Sequence, residues 1–404
     1  MKRNVPKLRF KGFSDEWESK RLGDFIEERS EKTEDKENYP LYSLTIENGV
    51  VPKSDRYERE FLVKKEGNFK IVQPNDFVYN PMNLRFGALA VYKGKIPVSV
   101  SGYYNVFNFN GESVSQFWSN YLKTDRMFYL YNTIATGSLE EKKRVHYSQF
   151  KELNLKMPKK EEQEKISNFL TKVDKIIEKQ EEKVTELEKY KKGMMQKIFS
   201  QEIRFKDENG GEYPEWEKKH LGNLVERVVR KNKGNVTKRP LTISAQYGLV
   251  DQEEFFNKVV ASANLEGYYL LNKGEFAYNK SYSNGYPFGA IKRLDRYENG
   301  AVSTLYICFI PKEDVDSNYL VQYFESDMWH KEVSMIAVEG ARNHGLLNIS
   351  VTDFFETIHR IPCLEEQSKI ANFLSKIDLV VEKEKEMLEE LRKWKKGLLQ
   401  QMFV

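Results

Sequence analysis

Residues 157–199 read MPKKEEQEKISNFLTKVDKIIEKQEEKVTELEKYKKGMMQKIF, and residues 361–403 read IPCLEEQSKIANFLSKIDLVVEKEKEMLEELRKWKKGLLQQMF. Laid on each other with a constant shift of 204, the two stretches agree at 22 of 43 positions. Agreement of that extent marks an internal repeat. Each copy closes a globular stretch of similar size, so the chain reads as domain, helix, domain, helix. The boundaries predicted are 1–156 for the first domain, 157–199 for a central helix, 200–360 for the second domain and 361–404 for a C-terminal helix.

Inside the first copy, apolar residues recur at Ile166, Leu170, Val173, Ile177, Val184, Leu187, Met194 and Ile198. Spacings of three and four are those of a coiled-coil seam. The second copy repeats them at Ile370, Leu374, Ile377, Val381, Leu388, Leu391, Leu398 and Met402. Each seam carries one polar residue in its middle, Gln180 in one and Glu384 in the other, a device that penalises wrong registers. The first helix must carry the chain away from domain one, and the second starts only after domain two, so the simplest pairing is antiparallel. At roughly 1.5 Å per residue such a helix spans on the order of 60 Å, which predicts heads held at opposite ends.

The repeat extends more faintly through the heads. Arg9-Phe10-Lys11, Glu16-Trp17-Glu18 and Leu22-Gly23 are echoed by Arg204-Phe205-Lys206, Glu215-Trp216-Glu217 and Leu221-Gly222. DFVYNP at 76–81 is answered by EFAYNK at 275–280, and Phe86-Gly87-Ala88 by Phe288-Gly289-Ala290. These read as strands and turns of one shared fold. A helical segment follows, with Thr124-Asp125 and Ser326-Asp327 as caps, and then a glycine loop at Gly137 or Gly340. The fold class is mixed α/β (α+β). Between the landmarks the heads differ freely, ENGVVPKSDRYERE against QYGLVDQEEFFNKV, which predicts one scaffold with two surfaces.

At 404 residues the chain can hold two cores of ordinary size. Two cysteines, Cys308 and Cys363, are too few for a disulfide framework or a four-cysteine zinc site, and suggest a reducing compartment. No apolar run is long enough for a membrane span, and MKRNVPKLRF lacks the apolar stretch of a signal peptide, so a cytoplasmic location is expected. The 65 basic and 61 acidic side chains leave a formal charge of +4. A nucleic-acid binder can hide a basic face inside so mild a balance.

Catalytic apparatus is hard to find. Neither a phosphate loop nor a dinucleotide turn occurs, and His146, His220, His330, His344 and His359 lack metal-ligand spacing. Asn80-Pro81-Met82-Asn83 lacks the second proline and the aromatic of an amino-methyltransferase motif. Glu18-Ser19-Lys20 and Glu217-Lys218-Lys219 fit the Glu-x-Lys of nucleases, but such a pair needs an upstream aspartate for magnesium, and a turn before the Leu-Gly element is the expected reading.

The heads do offer basic side chains, amides and aromatics in loops between strands. In domain two, Gly340 to Gly345 carries Arg342, Asn343 and His344, where arginine can contact guanine and asparagine adenine in bidentate fashion. Asn279, Lys280 and Tyr282 stand next as candidates. Domain one has Lys142, Lys143 and Arg144 at the corresponding place, suited to phosphates, and Asn80 and Arg85 are its further candidates for DNA contact.

With the junctions written Pro158-x-x-Glu161-Glu162-Gln163 and Pro362-x-x-Glu365-Glu366-Gln367, each followed by Lys-Ile and Asn-Phe-Leu, the whole chain resembles the specificity subunit of a type I restriction-modification system. Gly340-Ala341-Arg342 resembles that family's loop before the final strand, and domain one departs from it because its arginine is displaced to Arg144. The resemblance implies two target-recognition domains joined by an antiparallel coiled coil, and a non-catalytic reader of double-stranded DNA. It implies no cofactor in this chain. Two methyltransferase subunits would carry S-adenosylmethionine, and two restriction subunits, joined through the complex, would use ATP and magnesium. Two unlike heads would then read a bipartite, gapped target. A coiled-coil adaptor whose heads bind protein, and an enzyme fused to its reader, are the other classes open to such a chain; salt-dependent retardation of duplex DNA separates the first from a DNA reader.

Overall fold

A computed structural model describes residues 5–53, 69–111, 113–244, 246–256, 264–282, 285–337 and 347–404. It divides into two compact units, Met1–Glu181 with Met387–Val404, and Glu182–Glu386. Each unit therefore contains one head, the beginning or end of the first long helix, and the complementary part of the second.

The heads have the same topology. In the first, a four-stranded antiparallel sheet runs in the order Ile26–Glu28, Asn105–Phe109, Phe77–Tyr79, Leu89–Val91; in the second the order is Val225–Arg227, Ile307–Pro311, Phe276–Asn279, Ala290–Arg293. A hairpin accompanies each sheet, Tyr42–Thr45 with Gly49–Pro52 and Leu241–Ser244 with Gly248–Asp251. Three short helices follow, Ser115–Tyr121, Asp125–Ile134 and Tyr147–Lys151 against Ser317–Glu325, His330–Ile336 and Val351–Glu356. Alternation explains the strands: in Phe276–Asn279 and Phe77–Tyr79 aromatics face the helices while Val78 and Ala277 face the second, smaller apolar layer.

The segments around Glu-x-Lys form strands, where a turn was expected. Glu18–Arg21 pairs with Asn154–Met157, and Glu217–His220 with Ile358–Ile361. The acid and the lysine two residues on share one strand face, and they pair at 3.0 Å (Lys20 with Glu18) and 3.2 Å (Lys219 with Glu217). Met157 and Ile361 thus end strands, and the long helices run Lys160–Phe199 and Leu364–Met402. Of the two caps expected, Thr124 accepts from Met127 N and starts Asp125–Ile134. Ser326 instead follows Ser317–Glu325, where its hydroxyl donates to Tyr323 O, and the next helix starts only at His330.

The Pro-x-x-Glu-Glu-Gln junction is a lock between helix, strand and head. Gln163 Nε2 donates to Pro158 O (3.0 Å) while its Oε1 accepts from Val114 N (3.2 Å), and Gln367 bonds Pro362 O (2.9 Å) and Asp316 N (2.9 Å) in the same way. Buried Glu162 accepts both Arg9 nitrogens at 2.7 Å. Its counterpart Glu366 accepts Arg204 Nε (3.3 Å), Arg204 Nη2 (2.9 Å) and Trp216 Nε1 (3.0 Å). Bidentate arginine pairs of this kind fix orientation as well as energy. Phe10 and Phe205, beside those arginines, meet Phe169 and Phe373 of the helices edge to face at 5.7 and 5.6 Å.

The apolar stripes do two jobs. Ile166, Leu170 and Val173 join the core of the first head together with Leu398 and Met402; Ile370 and Leu374 join that of the second together with Met195 and Ile198. Val184, Val381 and Leu388 are buried, and Ile177, Leu187, Ile377, Leu391 and Met194 half-buried. Within each unit the helices run antiparallel, as expected. Asp174 pairs with Lys395 (2.5 Å) and Glu181 with Arg392 (2.7 Å) in the first; Lys183 pairs with Glu384 (2.7 Å) and Lys191 with Asp378 (2.5 Å) in the second.

Candidate nucleic-acid interface

In each head the chain leaves the third strand of the four-stranded sheet through a loop that is tied to the segment before the third short helix. In the first unit the strand Phe77–Tyr79 runs into Asn80–Gly87. Asn80 Oδ1 accepts from Met82 N (3.1 Å) and its carbonyl from Leu84 N (2.8 Å), so the Asn-Pro-Met-Asn stretch is a hydrogen-bonded turn. Pro81 O accepts from Val145 N (2.9 Å). Thr136 and Arg144 exchange backbone bonds (2.9 and 3.0 Å) and close the loop that carries Lys142 and Lys143. Gly137 fits that closure alone, since a Cβ there would lie 2.8 Å from Lys143 Cα.

Asn80, Arg85, Lys142, Lys143 and Arg144 are therefore brought to one pair of loops. They do not all face outward. Arg85 is buried, donating to Glu140 Oε1 (2.7 Å), Glu140 O (2.8 Å) and Asn132 Oδ1 (3.2 Å), so its guanidinium supports the loop from behind. Lys143 pairs with the same Glu140 carboxylate at 2.6 Å. The Lys143 ammonium and the Arg85 guanidinium together hold the Glu140 carboxyl below its ordinary range. Lys142 is exposed and Arg144 half-buried.

The second unit repeats the tie. Lys280 O accepts from Leu347 N (2.9 Å), and Lys280 Nζ donates to Ile349 O (2.8 Å), with burial lowering the pKa of that ammonium. Asn279 Oδ1 accepts from Ser281 N (3.1 Å), and Tyr282 is exposed. A Cβ at Gly289, whose φ is +78°, would collide with Asn279 O, so the return to the edge strand requires glycine. Arg342, Asn343 and His344 lie outside the described residues.

Among the described residues no group of His, Cys, Asp and Glu could hold a metal ion, and no helix is long and apolar enough to cross a membrane. His359 is buried between Tyr323 Oη and Thr357 Oγ1, both at 2.8 Å, and burial lowers its pKa to about 4. Cys308 is buried, which pushes its thiol up to about 12 and leaves it inert. Sequence reading missed Phe86, exposed beside Arg85. The Phe-Gly-Ala repeat marked the place, but exposure is not written in a motif.

Two heads of one topology, each locked to a long helix by the same Pro-x-x-Glu-Glu-Gln junction, define a modular, internally repeated protein. The type I restriction modification DNA specificity domain matches residues 14–189 and again 194–393, and the chain belongs to that family. It is a specificity subunit, of a family that is non-catalytic. The type I restriction enzyme MjaVIII specificity subunit of Methanocaldococcus jannaschii is 27% identical over 94% of this chain and 91% of its own length. The putative type I restriction enzyme MjaX specificity subunit of the same organism is 25% identical over 54% of this chain and 55% of its own. Among solved structures, the type I restriction-modification S subunit from M. genitalium is similar with a TM-score of 0.55, at 13% identity over 99% of both chains. A chain from a study of complex assembly and conformational transition of the type I system has a TM-score of 0.52, at 15% identity over 96% of this chain and 97% of that one.

Proposed function

We propose that each unit reads one half of a bipartite, gapped target in double-stranded DNA, and that the helices dock two methyltransferase subunits and so direct adenine methylation or restriction. S-adenosylmethionine belongs to the methyltransferase subunits, and ATP with magnesium to two restriction subunits held through the complex. The observation that carries this reading is one tied loop pair, built on the same topology in both units, that carries the exposed Lys142 beside Lys143 and Arg144 in one and the exposed Tyr282 beside Asn279 and Lys280 in the other. Identical scaffolds with unlike reading surfaces suit unlike half-sites.

The flanks of the helix pair support docking. One flank is charged, as the pairs Glu181–Arg392 and Lys385–Glu188 illustrate. On the other flank of the heptad, the first unit exposes Ile176 and Trp394, and the second exposes Val380 and Tyr190 at the positions related by the shift of 204. One aliphatic and one aromatic side chain per unit form two copies of a similar patch, which fits two copies of one partner. The resemblance to the chain from the type I assembly study supports the same reading.

Co-expression with the methyltransferase subunit, followed by methylome sequencing, tests the whole. Exchanging residues 1–156 for those of a relative is expected to change one half of the methylated motif and leave the other half and the gap intact. A swap that altered both halves would contradict independent reading, and a genome without any new modified motif would favour an adaptor that binds protein.

Arg342, Asn343 and His344 are proposed as base-reading groups of the second unit. Arg342→Ala is expected to weaken binding to the cognate duplex by about 1–3 kcal/mol, with a far smaller loss on random DNA. Both duplexes are titrated at one salt concentration. A phosphate contact would weaken the two alike and lower the salt slope by about one unit; unchanged cognate binding would remove this loop from the reading surface.

A further inference from the structure

Phe86 is 60% exposed. A lone exposed phenylalanine is ordinary, but this one sits where three elements meet. A Cβ on Gly87 would lie 3.4 Å from Phe128 Cζ on the helix and 3.8 Å from Ile46 Cγ2 at the hairpin tip. Ile46 is itself exposed, and so is Tyr129, the neighbour of Phe128. The ring is held without being covered. The Arg85 guanidinium, fixed by Asn132 and Glu140, lies 5.0 Å from its centroid, so a buried cation sets the orientation of an exposed aromatic.

The other unit provides a control built into the same chain. Its Phe-Gly-Ala repeat places Phe288 against His330 at 5.2 Å, packed on the core, and the residue before it is Pro287, which has no cation to offer. Only the first unit props its phenylalanine outward. Arg85 shares the Glu140 carboxylate with Lys143, which joins the segment of Phe86 to the loop that carries Lys142, Lys143 and Arg144, residue types suited to phosphates.

We infer that Phe86 is a specificity-determining contact of the first unit, its ring covering the 5-methyl group of a thymine in the major groove, with Arg85 as its positioning residue. This rests on the reading that the first unit recognises a half-site. The phenyl ring has no donor or acceptor for a base edge, and the thymine methyl is the apolar feature that the major groove displays.

The test uses the chain assembled with its methyltransferase subunits and a duplex carrying the motif found by methylome sequencing. Each thymine of the first unit's half-site is replaced in turn by deoxyuridine, which lacks only the methyl group. For the parent, one replacement is expected to weaken binding about 4-fold, the worth of one buried methyl group at about 0.8 kcal/mol. Phe86→Ala is expected to bind the natural duplex at least that much more weakly and to lose nothing further on the deoxyuridine duplex. Phe86→Leu is expected to retain most of the parent's discrimination, and thermal stability is expected to hold in both variants because the side chain is exposed. Equal binding by Phe86→Ala and parent would overturn the inference. So would weaker assembly with the methyltransferase subunits at unchanged DNA recognition, which would make this a protein-facing patch. The exchange of residues 1–156 is scored first: an unchanged motif there defeats the reading beneath, whereas a changed motif with a silent Phe86→Ala defeats the contact alone.

Discussion

Glu366→Ala is expected to lower the stability of the second unit by about 3 kcal/mol, the lower end of what breaking a buried ion pair costs. The lower end applies because the Arg204 side chain keeps 21% of its surface in water, while that of Glu366 keeps none. Removal of the carboxylate strands Arg204 Nε and the indole N–H of Trp216, while Arg204 Nη2 keeps Tyr213 O and Pro214 O. A donor left without its acceptor in a buried place loses hydration and gains nothing in return. Glu366→Gln keeps one acceptor oxygen and is expected to lose about half as much. Urea unfolding followed by tryptophan fluorescence reads both variants, and a midpoint equal to the parent's would mean that the lock contributes nothing to the fold. Glu162→Ala should act in the same way on the first unit, through Arg9.

Those locks show where a sequence is legible and where it stops. The helices could be read because the period of the seam is local: Ile166, Leu170, Val173 and Ile177 declare a face within three turns. The duplicated Pro-x-x-Glu-Glu-Gln was visible as a motif, yet its job depends on Arg9 and Arg204, 153 and 162 residues away from their partners. Spacing along the chain holds no information about such pairs. Arg85 illustrates the same limit at the candidate interface. A basic residue after Asn80-Pro81 suggested a DNA contact, but Glu140, 55 residues on, turns it inward and leaves the neighbouring phenylalanine outside. The segments 18–21 and 217–220 read as turns from sequence because every residue in them is polar, and their strand character comes from partners at 154–157 and 358–361. Asn80 and the Lys142 to Arg144 run lie far apart in sequence, and the backbone bond from Val145 to Pro81 brings their loops together.

The seam itself carries the second large effect. Leu374 is fully buried, in a cluster with Met195, Ile198 and Phe199 from the other helix and Tyr319 and Tyr323 from the head. Leu374→Asp replaces a side chain whose burial is worth about 1.5–3 kcal/mol with a charge that has no partner there. A buried unpaired carboxylate costs several kcal/mol more, or is relieved only when the helices separate or the group takes up a proton. The second unit is therefore expected to open at neutral pH, seen as loss of its cooperative melting transition and of the complex with the methyltransferase subunits in size-exclusion chromatography. Trp394→Glu distinguishes seam from flank: on the same helix but half-exposed, it is expected to leave melting intact and weaken only the complex. Intact melting in Leu374→Asp would be incompatible with a packed helix pair in that unit, and an intact complex in Trp394→Glu would move the docking surface off the apolar flank.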